Sequence, residues 1–274
     1  MNMSPLQRKF VIKQRIYSIS VTLSRLILFL GFIGIWEFTA DKGIINAFIF
    51  SSPVRLYQTF MDLAKDGVIF MHIWVTLYET IVAFAIITVV GIIFAILLWC
   101  FKGLSDCLEP FMVVLNSLPK SALAPMLIVW LGTNTKAIII TAVSVAIFGM
   151  IINLYTGFLG IDKEKITLIR TLGGNKWHIL CKLIIPGSKK IIISNMKVNI
   201  GLCLVGVIIG EFLAAKKGLG YLIIYGSQVF KMSYVVLGIV ILCIISTILF
   251  ALINIIQNLF PVSYTHLRAH ETTL

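Results

Sequence analysis

Residues 171–186 read TLGGNKWHILCKLIIP. This basic, glycine-broken passage stands between apolar stretches at 137–159 and 191–213 that are each long enough to cross a bilayer. It must therefore lie outside the membrane, and its punctuation indicates its shape. Upstream, Asp162 is suited to cap a helix in which Leu168, Ile169 and Leu172 share one face and Glu164, Thr167, Arg170 and Thr171 the other. Gly173-Gly174 stops that helix, because glycine takes the left-handed cap conformation at little cost. Asn175 can cap a second helix, with Trp177, Leu180, Cys181 and Ile184 on one side and His178 and Lys182 on another, and Pro186 is expected to end it. Two short amphipathic helices at a sharp angle make a knob. On physical grounds it is either an interfacial element on anionic headgroups or a plug for a soluble partner.

Composition agrees with a membrane setting. Of 274 residues, 59% are hydrophobic and 12% charged, with a mean hydropathy of +1.02, whereas a soluble domain carries about a quarter charged residues. The formal net charge of +12 falls between apolar runs and not on one face, so it reads as topology and not as nucleic-acid binding. Cys100, Cys107, Cys181, Cys203 and Cys243 show neither metal spacing nor a disulfide framework and read as small apolar filler. No cleavable signal is evident, and the apolar run after the basic residues 1–17 reads as an anchor.

The fold class is all-α and polytopic, with six spans expected. The first covers 18–40, with Arg25 able to snorkel to the nearer surface. A connection at 41–73 holds a short amphipathic helix after the Ser52-Pro53 turn, with Leu56, Phe60, Leu63 and Ala64 at helical spacing. The remaining spans and the 160–190 segment make one unit over 74–260. Its spans are 80–101, 108–131, 137–159, 191–213 and 234–260. The second of these contains Pro110, Pro119 and Pro125 and is expected to be kinked or broken and packed inside the protein. Span 191–213 carries Asn195, Lys197 and Asn199, which call for a bundle interior or a watery path, interhelical hydrogen bonding being the commoner outcome.

With the amino terminus in the cytoplasm, Arg8, Lys9, Lys13, Arg15, Lys102 and the basic residues of 160–190 lie inside. They outnumber Lys42, Arg55, Lys65, Lys136, Lys216, Lys217 and Lys231 outside, which favours that orientation. His72, Glu79 and Glu211 read as isolated, and Glu211 is expected to reach the headgroup region more readily than to line a gate. No G-x-x-x-x-G-K-[ST] phosphate loop occurs, no catalytic cluster is visible, and Gly218-Leu219-Gly220 reads as a turn.

The pattern running from Gly173 through Leu183 and Ile185 to Pro186 resembles the cytoplasmic EAA loop of bacterial ABC-transporter permeases. The wider chain is similar to the nitrate/sulfonate/taurine type of that family. The similarity is carried in order by SSPVRLYQTF (51–60), HIWVTLYETIVAF (72–84), LNSLPKSALAPMLIVWLG (115–132) and GEFLAAKKGLGYLI (210–223). Where the family has Glu-Ala-Ala this chain has Thr167-Leu168-Ile169, with Glu164 one turn earlier.

The resemblance implies a type I ABC importer permease in a bacterial inner membrane, working as a homodimer for a small anionic solute such as a sulfonate, taurine or nitrate. It implies docking of a cytoplasmic ABC ATPase through Thr167, Gly173, Gly174, Trp177, Leu183, Ile185 and Pro186, and delivery by an extracytoplasmic solute-binding protein. The permease itself is then no enzyme and carries no cofactor, ATP being bound by the partner. Asn195, Lys197, Asn199 and Glu211 are the candidates for a translocation path. The alternative, an ion-gradient-driven secondary transporter, calls for several intramembrane carboxylates and an internal inverted repeat, and neither is legible. The last residues, PVSYTHLRAHETTL, break the composition and resemble a translated sequencing adapter, so 261–274 is expected to be non-native. A metal-binding tail built on His266 and His270 is the other reading.

Overall fold

The structure is a computed structural model that describes residues 5–259. The tail expected at 261–274 lies outside them. The described residues contain helices and no strand.

Helix α1 (Pro5–Asp41) stands largely apart, with the apolar surface of its membrane-length part, Lys13–Asp41, largely exposed. Short α2 (Ala47–Phe50) leads to α3 (Pro53–Lys65), the amphipathic helix expected after Ser52-Pro53. Ser52 is its N-cap and Pro53 fits the first turn, where no amide hydrogen is needed. Glu37 of α1 reaches this end and accepts a hydrogen bond from the Val54 amide at 3.0 Å, as suits a carboxylate at a helix N-terminus.

Helix α4 (Val68–Cys100) starts well before the span expected at 80–101. The difference has a physical cause. Its first turns carry His72, Thr76 and Glu79, which depress hydropathy but face inward and are buried. The proline-rich span is indeed broken, but it is not packed inside the described chain, since Phe111, Val114, Val129 and Trp130 are exposed. Helices α5 (Lys102–Ser117) and α6 (Lys120–Leu131) meet at 96° across Leu118-Pro119. The Lys120 ammonium donates to the Asn116 carbonyl at the end of α5, a cation placed where the helix dipole is negative.

Helix α7 (Thr135–Leu159) returns and packs along both α4 and α11 (Lys189–Ala214). Small residues allow the close approach. A Cβ on Gly206 of α11 would lie 2.6 Å from the Ala142 Cα of α7, so only glycine fits there. Between α7 and α11 come α8 (Lys163–Thr171), α9 (Lys176–Ile179), a π-turn (Leu180–Ile184) and α10 (Ile185–Gly187). After α11, α12 (Leu219–Gln228) and α13 (Met232–Leu259) complete the bundle. Among the described residues five helices are long and apolar enough to cross a membrane, and the bent α5–α6 pair brings the number to six.

The apolar interior is divided. One cluster joins α4, α5, α7, α11 and the α9–π segment at one end. Another joins α3, α4, α11, α12 and α13. A smaller one, around Ala83, Ala142 and Val207, packs α4, α6, α7 and α11. The two ends of the bundle thus differ: one holds α8–α10, the other α3 and α12.

Candidate functional site

Two features stand out, one at each end. The α8–α10 segment is a capped, angled projection. Asp162 caps α8 by accepting from the Glu164 amide at 2.9 Å. Gly173 takes φ +78 and ends that helix, and the Gly174 amide donates back to the Ile169 carbonyl at 2.8 Å. Asn175 and His178 then form a reciprocal capping box at the start of α9, with the His178 amide donating to Asn175 Oδ1 at 2.9 Å. These caps are all local, so the corner is fixed by its own residues.

Beyond α9 the chain departs from the expectation of one α-helix ended by Pro186. The α-helix gives way at Leu180 to a π-turn, and Pro186 sits exposed in the first turn of α10, which runs into α11 at Ser188. The wider turn explains why the expected apolar side does not hold together. Ile179, Leu180 and Ile184 are buried against Leu154, Tyr155 and Phe158 of α7, whereas Trp177 and Cys181 point away and are exposed. Leu183 and Ile185 are half-buried, and Thr167 is exposed with its hydroxyl donating to the Lys163 carbonyl. The result is a knob with a buried root and an apolar outer face: Leu168, Leu172 (78% exposed) and Trp177 (66% exposed). Its root is pinned to α4 through Lys176 Nζ, which donates to the Cys100 carbonyl at 3.5 Å.

The polar residues of α11 do not converge. Asn195 and Asn199 are buried and turn back on their own helix, donating to the carbonyls of Ile191 and Asn195, and Asn199 also reaches Met150 Sδ at 3.1 Å. Lys197 faces α13, where it donates to Gln257 and lies over the Phe250 ring. Glu211 lies at the other end of the helix, away from all three.

There the structure corrects the sequence reading of His72, Glu79 and Glu211 as isolated, and of Glu211 as reaching the headgroups. Glu211 has no exposed surface. His72, Thr76 and Glu79 recur at i, i+4 and i+7 on α4 and bring one polar stripe against it. Three successive amides at the start of α12 are each taken up by a different side chain. The Gly218 amide donates to His72 Nδ1 at 2.9 Å, Leu219 to Thr76 Oγ1 at 2.8 Å, and Gly220 to Glu211 Oε2 at 2.5 Å. Thr76 completes the link by donating its hydroxyl to Glu211 Oε1 at 2.7 Å. The α12 N-terminus is thus clasped by α4 and α11, with a carboxyl at the positive end of its dipole. Because Nδ1 of His72 accepts, that ring carries its hydrogen on Nε2.

Gly218 adopts φ +116, and a Cβ there would enter the Glu211 carboxyl group. The GLG triplet, read as a turn, is therefore what the clasp holds. The His72 ring also stacks on Tyr221 and Tyr221 on Tyr225, while Tyr225 meets Tyr234 in a tilted contact that extends the row into α13. The sequence signal that could have found this cluster was the heptad-like spacing of His72, Thr76 and Glu79, which hydropathy averaging conceals.

Comparison with known proteins agrees with this architecture. A family model described as a binding-protein-dependent transport system inner membrane component matches residues 87–261. A putative aliphatic sulfonates transport permease protein of Bacillus subtilis is 25% identical over 227 residues, 82% of each chain. A formylaminopyrimidine transport permease protein of Halalkalibacterium halodurans is 26% identical over 195 residues, 71% of this chain and 77% of that one. A riboflavin transport system permease protein of Chloroflexus aurantiacus is 24% identical over 239 residues, 87% of each. Among solved structures, an inward-facing methionine ABC transporter matches with a TM-score of 0.63 at 18% identity, covering 70% of this chain and 96% of that one. An amino acid ABC transporter matches with a TM-score of 0.61 at 14% identity, covering 73% of this chain and 98% of that one. These neighbours share the type I importer permease fold.

Proposed function

The chain belongs to the family of binding-protein-dependent transport system inner membrane components, and from that premise we propose that the α8–α10 knob is the seat of a cytoplasmic ATPase subunit. The protein is a multi-pass permease subunit of an ABC importer. The observation that carries the docking assignment is the knob's construction: an exposed apolar outer face on a root buried in α4 and α7. A force applied at Leu172 and Trp177 is transmitted to the spans because the caps at Asp162, Gly173 and Asn175 leave little slack between them. In this reading the knob and amino terminus are cytoplasmic, α3 and α12 face outward toward a solute-binding protein, and nucleotide is hydrolysed by the partner alone. A second copy closes the path. The exposed apolar face of α5 and α6, with Phe111, Val114, Val129 and Trp130, supports that pairing.

For the solute we propose a small sulfonate-like anion. The support is the naming of relatives as putative aliphatic sulfonate permeases in two bacteria, together with a cation, Lys120, at the mid-span break that opens α6. Direct binding of sulfonates, taurine and nitrate to the cognate solute-binding protein tests this; affinity for none of them rejects it.

The docking assignment is tested by co-purification. Trp177→Ala and Leu172→Asp alter side chains that are largely exposed, so the permease is expected to keep its melting temperature while the ATPase subunit is lost from the complex. Undiminished association in both variants overturns the assignment.

A further inference from the structure

At the α12 end of the bundle a cavity of about 220 Å³ opens between α4, the start of α7 and the segment after α11. Its layout follows from the elements that wall it. Val75 and Glu79 lie one turn apart on α4, Thr135 opens α7, and Lys216-Lys217 follows the end of α11. Because α4 runs into the bundle from this end, Glu79 marks the deeper wall, while the exposed Lys216 and Lys217 stand at the mouth.

Glu79 is the unmatched group of this end. It is 1% exposed, and neither of its carboxylate oxygens has a hydrogen-bond donor. The other buried carboxyl here, Glu211, is already taken by the Thr76 hydroxyl and the Gly220 amide. Asn134, also in the wall, spends its side chain on capping α7, donating to the Leu131 carbonyl at 2.8 Å and accepting from the Ala137 amide at 3.0 Å. No ion pair reaches Glu79, Lys216 or Lys217 among the described residues. A buried carboxylate without a donor is costly, and a molecule entering the cavity can supply the donors that the chain does not.

The charges define that molecule. An anion alone meets the Glu79 carboxylate at the inner wall. A cation alone must pass the lysine ammonium groups at the mouth, and no cluster of three or more His, Cys, Asp or Glu suited to a metal ion occurs among the described residues. A molecule carrying both charges satisfies both ends. We propose that this cavity binds a small zwitterion, whose ammonium group donates to Glu79 and whose acidic group, a carboxylate or a sulfonate, meets Lys216 and Lys217. Val75, Ile138 and Ala214 give the wall apolar surface for a short methylene spacer, and Thr133 and Thr135 add hydroxyls. The volume lies below the roughly 300–1,000 Å³ of pockets for drug-sized ligands, which keeps the ligand small. The site is distinct from the Lys120 break and from the α8–α10 knob; only its outward placement rests on the docking reading.

The test measures binding of radiolabelled taurine and β-alanine to the full-length permease in lipid nanodiscs, with neither solute-binding protein nor ATPase present. These zwitterions share an ammonium group and spacer and differ in the acidic group, so whichever binds identifies that group. Ethanesulfonate and propionate lack the ammonium group, and ethylamine lacks the acid. At least one zwitterion is expected to bind about tenfold or more tightly than each of its fragments, because each end makes a charge-assisted hydrogen bond. Glu79→Gln should erase the preference over the anionic fragment, and Lys216→Gln combined with Lys217→Gln the preference over ethylamine. A carboxyl with a purely structural role would not split selectivity in this way. The lysines are exposed, so the double variant keeps its fold and decides alone should Glu79→Gln not accumulate. No saturable binding of either zwitterion, fragments that bind as tightly as the whole, or selectivity unaltered in the variants overturns the proposal. Titration of the solute-binding protein and co-purification of the ATPase are separate measurements, so failure here is distinguishable from failure of the transport reading.

Discussion

Thr76 is one hydroxyl with two obligations: it accepts from the Leu219 amide and donates to Glu211. Valine has nearly the same shape and neither capacity. Thr76→Val leaves a buried amide and one carboxyl oxygen short of a partner, which costs about 1–3 kcal/mol for each group so orphaned. Thermal denaturation in detergent should therefore show a clearly lowered melting temperature. Gly218→Ala should be worse, since it meets both an unfavourable φ and the Glu211 carboxyl group. If Gly218→Ala melts with the unaltered protein, the clasp is misassigned. Little of this was legible from sequence. His72 and Thr76 share α4 and their spacing shows that they share a face, but their meeting with Glu211 carries no local sign, because that contact spans α4 and α11. By contrast the caps at Asp162, Gly173 and Asn175 were legible, because each is satisfied within a few residues of itself.

The helix pair α7–α11 isolates the role of close packing. Gly206→Ala places a methyl 2.6 Å from the Ala142 Cα, and overpacking of this kind costs about 1–3 kcal/mol. Gly201, on the same helix, has nothing within 4 Å of its would-be Cβ. Gly201→Ala should instead stabilise by about 0.5–1 kcal/mol, the helix-interior difference between the two residues. Opposite shifts in melting temperature within one helix separate packing from propensity; shifts of the same sign would refute the packing account. Elements were read from the sequence best where apolar runs are unbroken, as in α7 and α13. They were misjudged where polar residues face inward, as at the start of α4, and where a π-turn changes the repeat, as in 180–184. Pro119 marked the α5–α6 break correctly because proline acts on its own backbone.

The bundle has two dissimilar ends, and the cytoplasmic assignment of the α8–α10 end makes a prediction for intact cells. Cys181 is exposed on the knob, whereas Lys216 lies at the opposite end. A membrane-impermeant maleimide applied from outside should label a Lys216→Cys variant in which Cys181 is the remaining reference thiol, and should reach Cys181 only after the membrane is opened. The reverse pattern would invert the topology and remove the ATPase-docking reading with it. The crossings and their order were accessible from hydropathy because a bilayer imposes one length on every span. The way α12 is tied down was not, since it depends on three-dimensional neighbours. The π-turn at Leu180–Ile184 has a wider consequence. It sits between the anchored root and the outgoing span, so the bearing of the knob is set by how many residues the turn contains. Deleting one residue there would restore an ordinary helical repeat and swing the knob by about 100°, one residue's share of a 3.6-residue turn. Aim at this face is therefore a matter of chain length, a digital setting that no side-chain substitution can reproduce.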